Sequence, residues 1–189
     1  AGDNAIFDHL GVRPVWLPWH YETDRLIVEN GTLTLQLMGY EFDALNTGSG
    51  AYTNMAVQVG MNSGDLGILD IEGPGTLNAR ALACGMFGGA GAWTNVTEGA
   101  TLDLEEAYAG TAGAWGAIAV TDASTLDTLQ LWLGLNGLGS LGVHGGSTVN
   151  APTCLVGHSD DGTIDITNGT LNTATTYVGN LPAGDGTVT

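Results

Sequence analysis

The sequence predicts an all-β solenoid, a three-sided coil in which short strands pair in parallel from one turn to the next. Three observations predict it: a repeat of 21 to 25 residues, 31 glycines among 189 residues, and short segments in which apolar and polar residues alternate. Units of this length bury their apolar faces only by stacking. Alternation with a period of two marks strands with one buried face, and frequent glycine disfavours long helices.

The repeat is clearest in its last full copy, where Gly179 follows Thr170 by nine positions. The same spacing recurs in four earlier pairs, which are Thr76 and Gly85, Thr101 and Gly110, Thr125 and Gly134, and Thr148 and Gly157. A weaker copy runs over residues 51–60 and a shortened one over 32–39. Counting each copy as one turn predicts about seven rungs.

Residues 1–24 do not fit this repeat, and they carry two of the five tryptophans, Trp16 and Trp19. Two interpretations remain open. The segment is either a cap over the first rung, because exposed sheet ends invite pairing, or an arm that docks on another subunit. In the repeat proper, residues 26–33 align with 164–171 through a shared Asn-Gly-Thr-Leu. Residues 25–189 are therefore the predicted solenoid.

Aligning the copies places apolar residues in columns that should point inward. The column after the threonine comprises Leu33, Tyr52, Leu77, Leu102, Leu126, Val149 and Leu171. Two more inward columns run from Val57 to Thr176 and from Val59 to Val178. Between them lies an outward aromatic strip of Tyr108, Trp132, Leu155 and Tyr177. A strip of this kind can stack on sugar rings or pack against another subunit. Alternatively, a loop of its own chain covers it.

A polar column follows the first inward column and comprises Thr53, Asn78, Asp103, Asp127, Asn150 and Asn172. Successive turns place such side chains ~4.8 Å apart, which suits a ladder of side-chain hydrogen bonds. The same spacing of oxygen atoms also suits calcium. We expect the ladder and no cofactor, with calcium as the alternative.

The charge balance excludes several classes of partner. The chain has no lysine and only three arginines, and its formal net charge is −17. Such a surface repels nucleic acid and anionic membranes. No run of 18 apolar residues occurs, so we expect no membrane span. The small residues at the start, Ala-Gly-Asp-Asn, are compatible with a processed, secreted chain.

Candidate catalytic and metal-binding groups are scattered. Asp65, Asp70 and Glu72 lie close in sequence, but a glycosidase needs two carboxyl groups that face one cleft, about 5 to 9.5 Å apart. Arg80 and Glu105 hold the same position in neighbouring copies, which favours a structural ion pair. Metal-ligand spacing is absent among the four histidines, which are His9, His20, His144 and His158. The sequence therefore predicts neither an enzyme nor a metal site.

The two cysteines, Cys84 and Cys154, fall three copies apart. Three turns correspond to roughly 14 Å along the axis. Because this separation exceeds the reach of a disulfide, both residues are predicted to be buried free thiols.

Residues 156–171 have the pattern Val-Gly-x-x-x-x-Gly-Thr-Ile-x-Ile-Thr-Asn-Gly-Thr-Leu, which recurs with decay over about 160 residues. The pattern resembles the passenger-associated strand repeats of bacterial autotransporters and related surface proteins. This resemblance implies a right-handed parallel β-helix that is exported and displayed at the cell surface. It does not imply one activity, because such passengers include adhesins, enzymes and inert stalks.

The last segment, residues 186–189, would match the strand at 164–166 and leave an open half-rung. Either the sequence is a fragment of a longer protein, or the next molecule completes the open end. We expect an exported surface structural protein whose solenoid stacks end to end into a fibre. The alternatives are an adhesin or carbohydrate-binding module that uses the aromatic strip and, third, a polysaccharide-active enzyme.

Overall fold

The computed structural model describes residues 3–46 and 55–189, and every regular element within these ranges is a β-strand. The 18 strands belong to one sheet whose neighbours pair in parallel. They form a β-solenoid of about seven turns, which confirms the predicted fold class. Among the described residues, no helix is long and apolar enough to cross a membrane.

Each turn has three faces. The first face comprises β6 (Leu66–Glu72), β8 (Gly91–Thr97), β10 (Trp115–Val120), β12 (Leu138–His144), β15 (Gly162–Thr167) and β18 (Gly186–Val188). The second face comprises β2 (Tyr21–Thr23), β4 (Glu41–Ala44), β13 (Thr148–Asn150) and β16 (Thr170–Asn172). The third face comprises β5 (Val57–Val59), β14 (Thr153–Val156) and β17 (Thr175–Val178). Three longer strands span the second and third faces, namely β7 (Gly75–Cys84), β9 (Ala100–Ala109) and β11 (Thr125–Leu133).

The predicted inward columns are confirmed from the third turn onward. Leu77 pairs with Leu102, Leu102 with Leu126, and the column continues through Val149 to Leu171. The third-face columns through Leu82 and Cys84 have the predicted register as well. These side chains form one continuous core along the axis, because each turn buries its apolar row against the next.

The repeated glycine marks the corner between the third and first faces. At Gly60, Gly85, Gly110, Gly134, Gly157 and Gly179 the backbone has a positive φ of 62 to 77°. A Cβ at Gly110 would lie 2.1 Å from the carbonyl oxygen of Leu138 in the next turn. The corner therefore needs glycine both for its left-handed conformation and for the close approach of two turns, which explains the constant spacing from the threonine.

The predicted register of residues 25–44 is wrong. Leu33 pairs with Leu69 on the first face, so it does not belong to the column of Leu77. Phe42 takes that position instead and pairs with Leu77. Tyr52, which was placed in that column, lies outside the described residues. The second turn therefore departs from the predicted repeat.

Residues 4–23 form a turn of the coil, although they do not carry the sequence repeat. Two long strands, β1 (Asn4–Trp16) and β3 (Arg25–Gln36), run side by side over the third and first faces, and β2 pairs with β4. The turn lacks the threonine-to-glycine signature, but its side chains at Phe7 and Val15 pack on the core. Whether this turn caps its own coil or docks on another chain stays a prediction.

Both cysteines are buried free thiols, as predicted. The Sγ atom of Cys84 lies 3.1 Å from the carbonyl oxygen of Ala117. Burial raises the pKa of Cys84 to about 12 and that of Cys154 to about 11, because the thiolate loses its solvation. Both thiols are therefore protonated at neutral pH, which argues against a reactive role.

Candidate functional site

The predicted aromatic strip has the expected register on the third face but is not an open ladder. Tyr108 pairs with Trp132, Trp132 with Leu155, and Leu155 with Tyr177. The rings of Tyr108 and Trp132 stack with centroids 6.1 Å apart. Leu155 is only 6% exposed, whereas Tyr177 in the last turn is 47% exposed. The strip opens toward solvent only at its Tyr177 end.

Side chains of the same molecule cover the other end of the strip. Met55 and Met86 are buried against Ala81 and Ala83, with Met61 and Tyr108 packed alongside. Gln58 precedes Ala83 in the same outward column, and its Nε2 donates to the carbonyl oxygen of Met55 at 3.0 Å. The alternative in which the chain covers its own strip therefore applies at the Tyr108 end.

Tyr108 and Trp132 are held by polar and aromatic neighbours. The Tyr108 hydroxyl donates to Glu106 Oε2 at 2.8 Å. Burial, together with this carboxylate, raises the pKa of Tyr108 well above its usual value. The His158 ring meets Trp132 edge to face, with centroids 5.3 Å apart. The two residues are half-buried, so neither offers a fully open ring surface.

Trp16 and Trp19 are exposed, at 65% and 60%. Trp16 ends β1 on the first face, and its backbone pairs with Gln36. Trp19 stacks on Tyr21 with ring centroids 5.8 Å apart. These two predicted assembly residues therefore lie on the first turn, away from the strip on the third face.

Sequence analysis missed a tryptophan pair on the first face. Trp93 and Trp115 meet edge to face with centroids 4.1 Å apart. Exposed Leu66 and Leu138 flank the pair. Trp93 follows Ile68 in an outward row of adjacent turns, so the alternation before each threonine contained this signal. The predicted columns did not include the outward residues of these strands.

The polar column forms a hydrogen-bonded ladder in two stretches. Asn172 donates to Asn150 at 2.7 Å, and Asn150 donates to Asp127 at 2.6 Å. Asn78 donates to Asp43 at 2.8 Å, so Asp43 holds the place that was assigned to Thr53, a residue outside the described ranges. Between the two stretches, Asp103 pairs in register with Asp127. Two carboxylates on adjacent turns mark the position where the calcium alternative stays open.

The carboxylates that were considered for catalysis have local partners. The Asp70 Oδ1 atom accepts from Asn95 Nδ2 at 2.7 Å, and Asp65 accepts from the backbone N–H of Asn62 at 2.7 Å. Arg80 Nε lies 3.3 Å from Glu105 Oε2, which confirms the predicted ion pair. Both partners are largely exposed, so this pair contributes little to stability.

The structure also brings His20 close to three carboxylates. One donor atom from each of His20, Glu41 and Asp43 lies within 4.8 Å of the others, and Glu22 Oε1 is 3.2 Å from His20 Nε2. Linear spacing did not show this cluster, because its members come from two turns of the coil.

The terminal turns expose apolar side chains. Ile6, Leu10, Val12, Trp16 and Trp19 are exposed in the first turn, and Tyr177, Val178, Leu181 and Val188 in the last. The second turn exposes Met38, Tyr40 and Leu45. Between residues 55 and 176 only four large apolar side chains are exposed, which are Leu66, Phe87, Leu129 and Leu138. Exposed apolar surface on a folded chain marks places of contact.

Comparison with family models, curated proteins and solved structures finds no match. The resemblance to autotransporter passenger repeats therefore stays an expectation from the sequence.

Proposed function

We propose that the chain is a structural element of an exported cell-surface protein, a rigid coil that joins further β-structure at its ends. The concentration of exposed apolar side chains in the first and last turns carries this proposal. Export and surface display rest on the resemblance of residues 156–171 to autotransporter repeats. The proposal assigns the chain a structural rather than a catalytic role.

The last turn has side chains that a further turn would bury. Val178 follows Val156, and Val188 follows Ile164, in inward columns of the coil. Val156 is fully buried, whereas Val178 is 51% exposed. The open strand edges can pair with a further turn, whether more of the same polypeptide or another copy supplies it. We include end-to-end association of copies in the proposal.

The first turn opposes such a contact at one position. Arg13 pairs in register with the fully inward Leu33, and its guanidinium bonds His9 Nε2 at 3.0 Å. In a head-to-tail contact that continues the register, Arg13 of one copy would stack on Val188 of the preceding copy. Burial of a charge without a partner is costly. We therefore expect end-to-end association to be weak and concentration-dependent.

Sedimentation velocity over a concentration series tests this proposal. The double variant Val178→Lys with Val188→Lys places charges in the inward columns of the last turn and should abolish association. Leu138→Lys is the matched control, because it removes an equally exposed apolar side chain from the middle of the coil and should leave association unchanged. Equal loss in both variants, or no association of the unmodified chain, would contradict the contact through the ends.

A second candidate is a binding module for neutral carbohydrate, and the Trp93–Trp115 pair favours it. Aromatic rings flanked by exposed leucines suit stacking against sugar rings, and the −17 charge disfavours acidic polymers. Affinity electrophoresis in gels with neutral polysaccharides tests this candidate. Retardation that is lost in Trp93→Ala and kept in Trp16→Ala would support it, and unretarded migration in every gel would remove it.

A further inference from the structure

His20, Glu22, Glu41 and Asp43, here called the His20 cluster, lie on the outside of the second face. Strands β2 and β4 pair Glu22 with Asp43. The residues between the cluster members, Tyr21 and Phe42, pack toward the core. Because side chains alternate along a strand, two cluster residues on each of two adjacent turns point outward together.

The donor atoms of the cluster already converge. His20 Nε2 lies 3.5 Å from Asp43 Oδ2, and His20 Nδ1 lies 3.8 Å from Glu41 Oε2. A zinc ion with bonds of about 2.0 to 2.2 Å holds its donor atoms about 3 to 4 Å apart. The contacts of His20 Nε2 with Glu22 and Asp43 fall in this range, whereas Glu41 approaches Nδ1 and must turn toward Nε2 to join them.

A neighbouring amide orients one of the carboxylates. Asn78 Nδ2 donates to Asp43 Oδ1 at 2.8 Å, which leaves Oδ2 as the oxygen that faces His20. Metal ligands are commonly fixed by hydrogen bonds of this kind from the next layer of residues. Asp43 is also the least exposed of the carboxylates that contact His20, with 19% of its side chain accessible.

The charge of the cluster favours a cation. It places three carboxylates around one imidazole in a chain with a net charge of −17. A divalent ion offsets two of these negative charges. An imidazole nitrogen among carboxylate oxygens suits zinc and related transition ions, while calcium prefers an all-oxygen set.

We propose that the His20 cluster binds one divalent transition-metal ion of the zinc class. The ligands come from the first and second turns, so the ion cross-links these two turns at the outer surface. This inference is independent of end-to-end association and of carbohydrate binding, because it depends only on residues of one chain.

Calorimetric titration of the chelator-treated chain with zinc chloride tests the proposal. We expect one saturable site per chain and a weaker response to calcium chloride. His20→Ala should reduce zinc affinity by at least about tenfold, and Asp43→Asn should have a similar effect. His144→Ala is the matched control, because His144 Nε2 lies near one carboxylate, that of Asp165 at 4.0 Å. The zinc affinity of this variant should equal that of the unmodified chain.

Thermal unfolding gives a second readout that does not depend on calorimetry. Ions that bind only the folded chain raise its midpoint temperature, so zinc should raise the midpoint of the unmodified chain and of His144→Ala but not of His20→Ala. Circular dichroism of each variant shows whether the coil is intact. The proposal is overturned if zinc does not bind saturably, if an intact His20→Ala binds it equally well, or if calcium binds more tightly.

Discussion

The first and last turns use the same parallel pairing but present different side chains to whatever lies beyond them. In the last turn, Val178 and Val188 continue inward columns with apolar side chains that are half exposed. In the first turn, Arg13 pairs with the inward Leu33, and its exposed side chain puts a charge at that end of the column. Inward charges on terminal strands are a known protection against unwanted pairing. The two ends therefore differ in how readily a further turn can stack on them.

This difference shows that the stability of a turn depends on its position in the coil. A middle turn has its apolar row covered on both sides, and Leu102 is fully buried. The last turn is covered on one side, and its equivalent Leu171 is only partly buried. In a solenoid the interfaces between neighbouring turns dominate stability. Identical substitutions should therefore have unequal effects in the middle and at the ends.

The largest effect is expected at the glycine corner. Gly110→Ala adds the strain of a left-handed alanine, about 1 to 2 kcal/mol, and forces the two turns apart where the added Cβ meets Leu138. We expect a total loss of about 3 kcal/mol. Gly179→Ala has a similar φ, but its nearest neighbour is 3.3 Å away, so it should lose only about 1 kcal/mol. Urea unfolding measures both, and equal losses would contradict the positional difference.

A smaller effect is expected from removing the charge in the first turn. Arg13→Leu replaces an inward charge with an apolar side chain like the one it pairs with, Leu33. Because the buried charge no longer has to be desolvated, end-to-end association should strengthen by about tenfold or more. Sedimentation equilibrium measures the association constant. Arg80→Leu is the control, since Arg80 is exposed in a middle turn. An equal gain in both variants would contradict an effect that is specific to the position of Arg13.

Asp103→Asn should stabilise the coil modestly. Asp103 stands between the two hydrogen-bonded stretches of the polar column and beside the carboxylate of Asp127. An amide removes a like-charge contact and supplies a donor, which is worth about 0.5 to 1 kcal/mol. Thermal unfolding with calcium or with chelator measures this gain. If calcium stabilises the unmodified chain and this response disappears in the variant, the ion bridges Asp103 and Asp127 instead.

The smallest effect concerns the two thiols. Burial raises the pKa of Cys84 to about 12 and that of Cys154 to about 11, so neither is a thiolate at pH 8. Labelling by iodoacetamide should therefore be slow in the folded chain. Cys154 lies one turn from the last, next to Thr176, and should react faster than Cys84 because terminal turns open first. Peptide mass spectrometry over time distinguishes them, and faster labelling of Cys84 would argue against fraying from this end.

The middle of the fold could be predicted because two strict requirements repeat there. Apolar residues alternate toward the core, and a glycine is needed at each corner. The register of residues 75–188 was therefore predicted correctly. The first two turns could not be predicted in the same way. Gly162-Thr-Ile and Gly169-Thr-Leu are alike in sequence but occupy different corners. Gly31 was aligned with Gly169, whereas its pairing with Gly67 places it in the row of Gly162.

Candidate sites were harder to predict because they form across turns. The strip from Tyr108 to Tyr177 was assigned correctly to one column, yet its cover includes Met55 and Met86 from outside that column. Trp93 and Trp115 are 22 positions apart. No local sequence motif therefore joins them. His20 and Asp43 are neighbours because residues 4–23 form a turn that pairs with the next turn. Register between turns, rather than spacing along the chain, decides which side chains meet.

Electron microscopy of the purified chain, at several concentrations and with calcium or chelator, tests the structural role most directly. The account predicts short, unbranched filaments at high concentration. Their subunits should repeat about every 34 Å, which is about seven turns at ~4.8 Å each. Monodisperse single coils under every condition would contradict end-to-end association. The exposed side chains of the terminal turns would then have to meet a different partner.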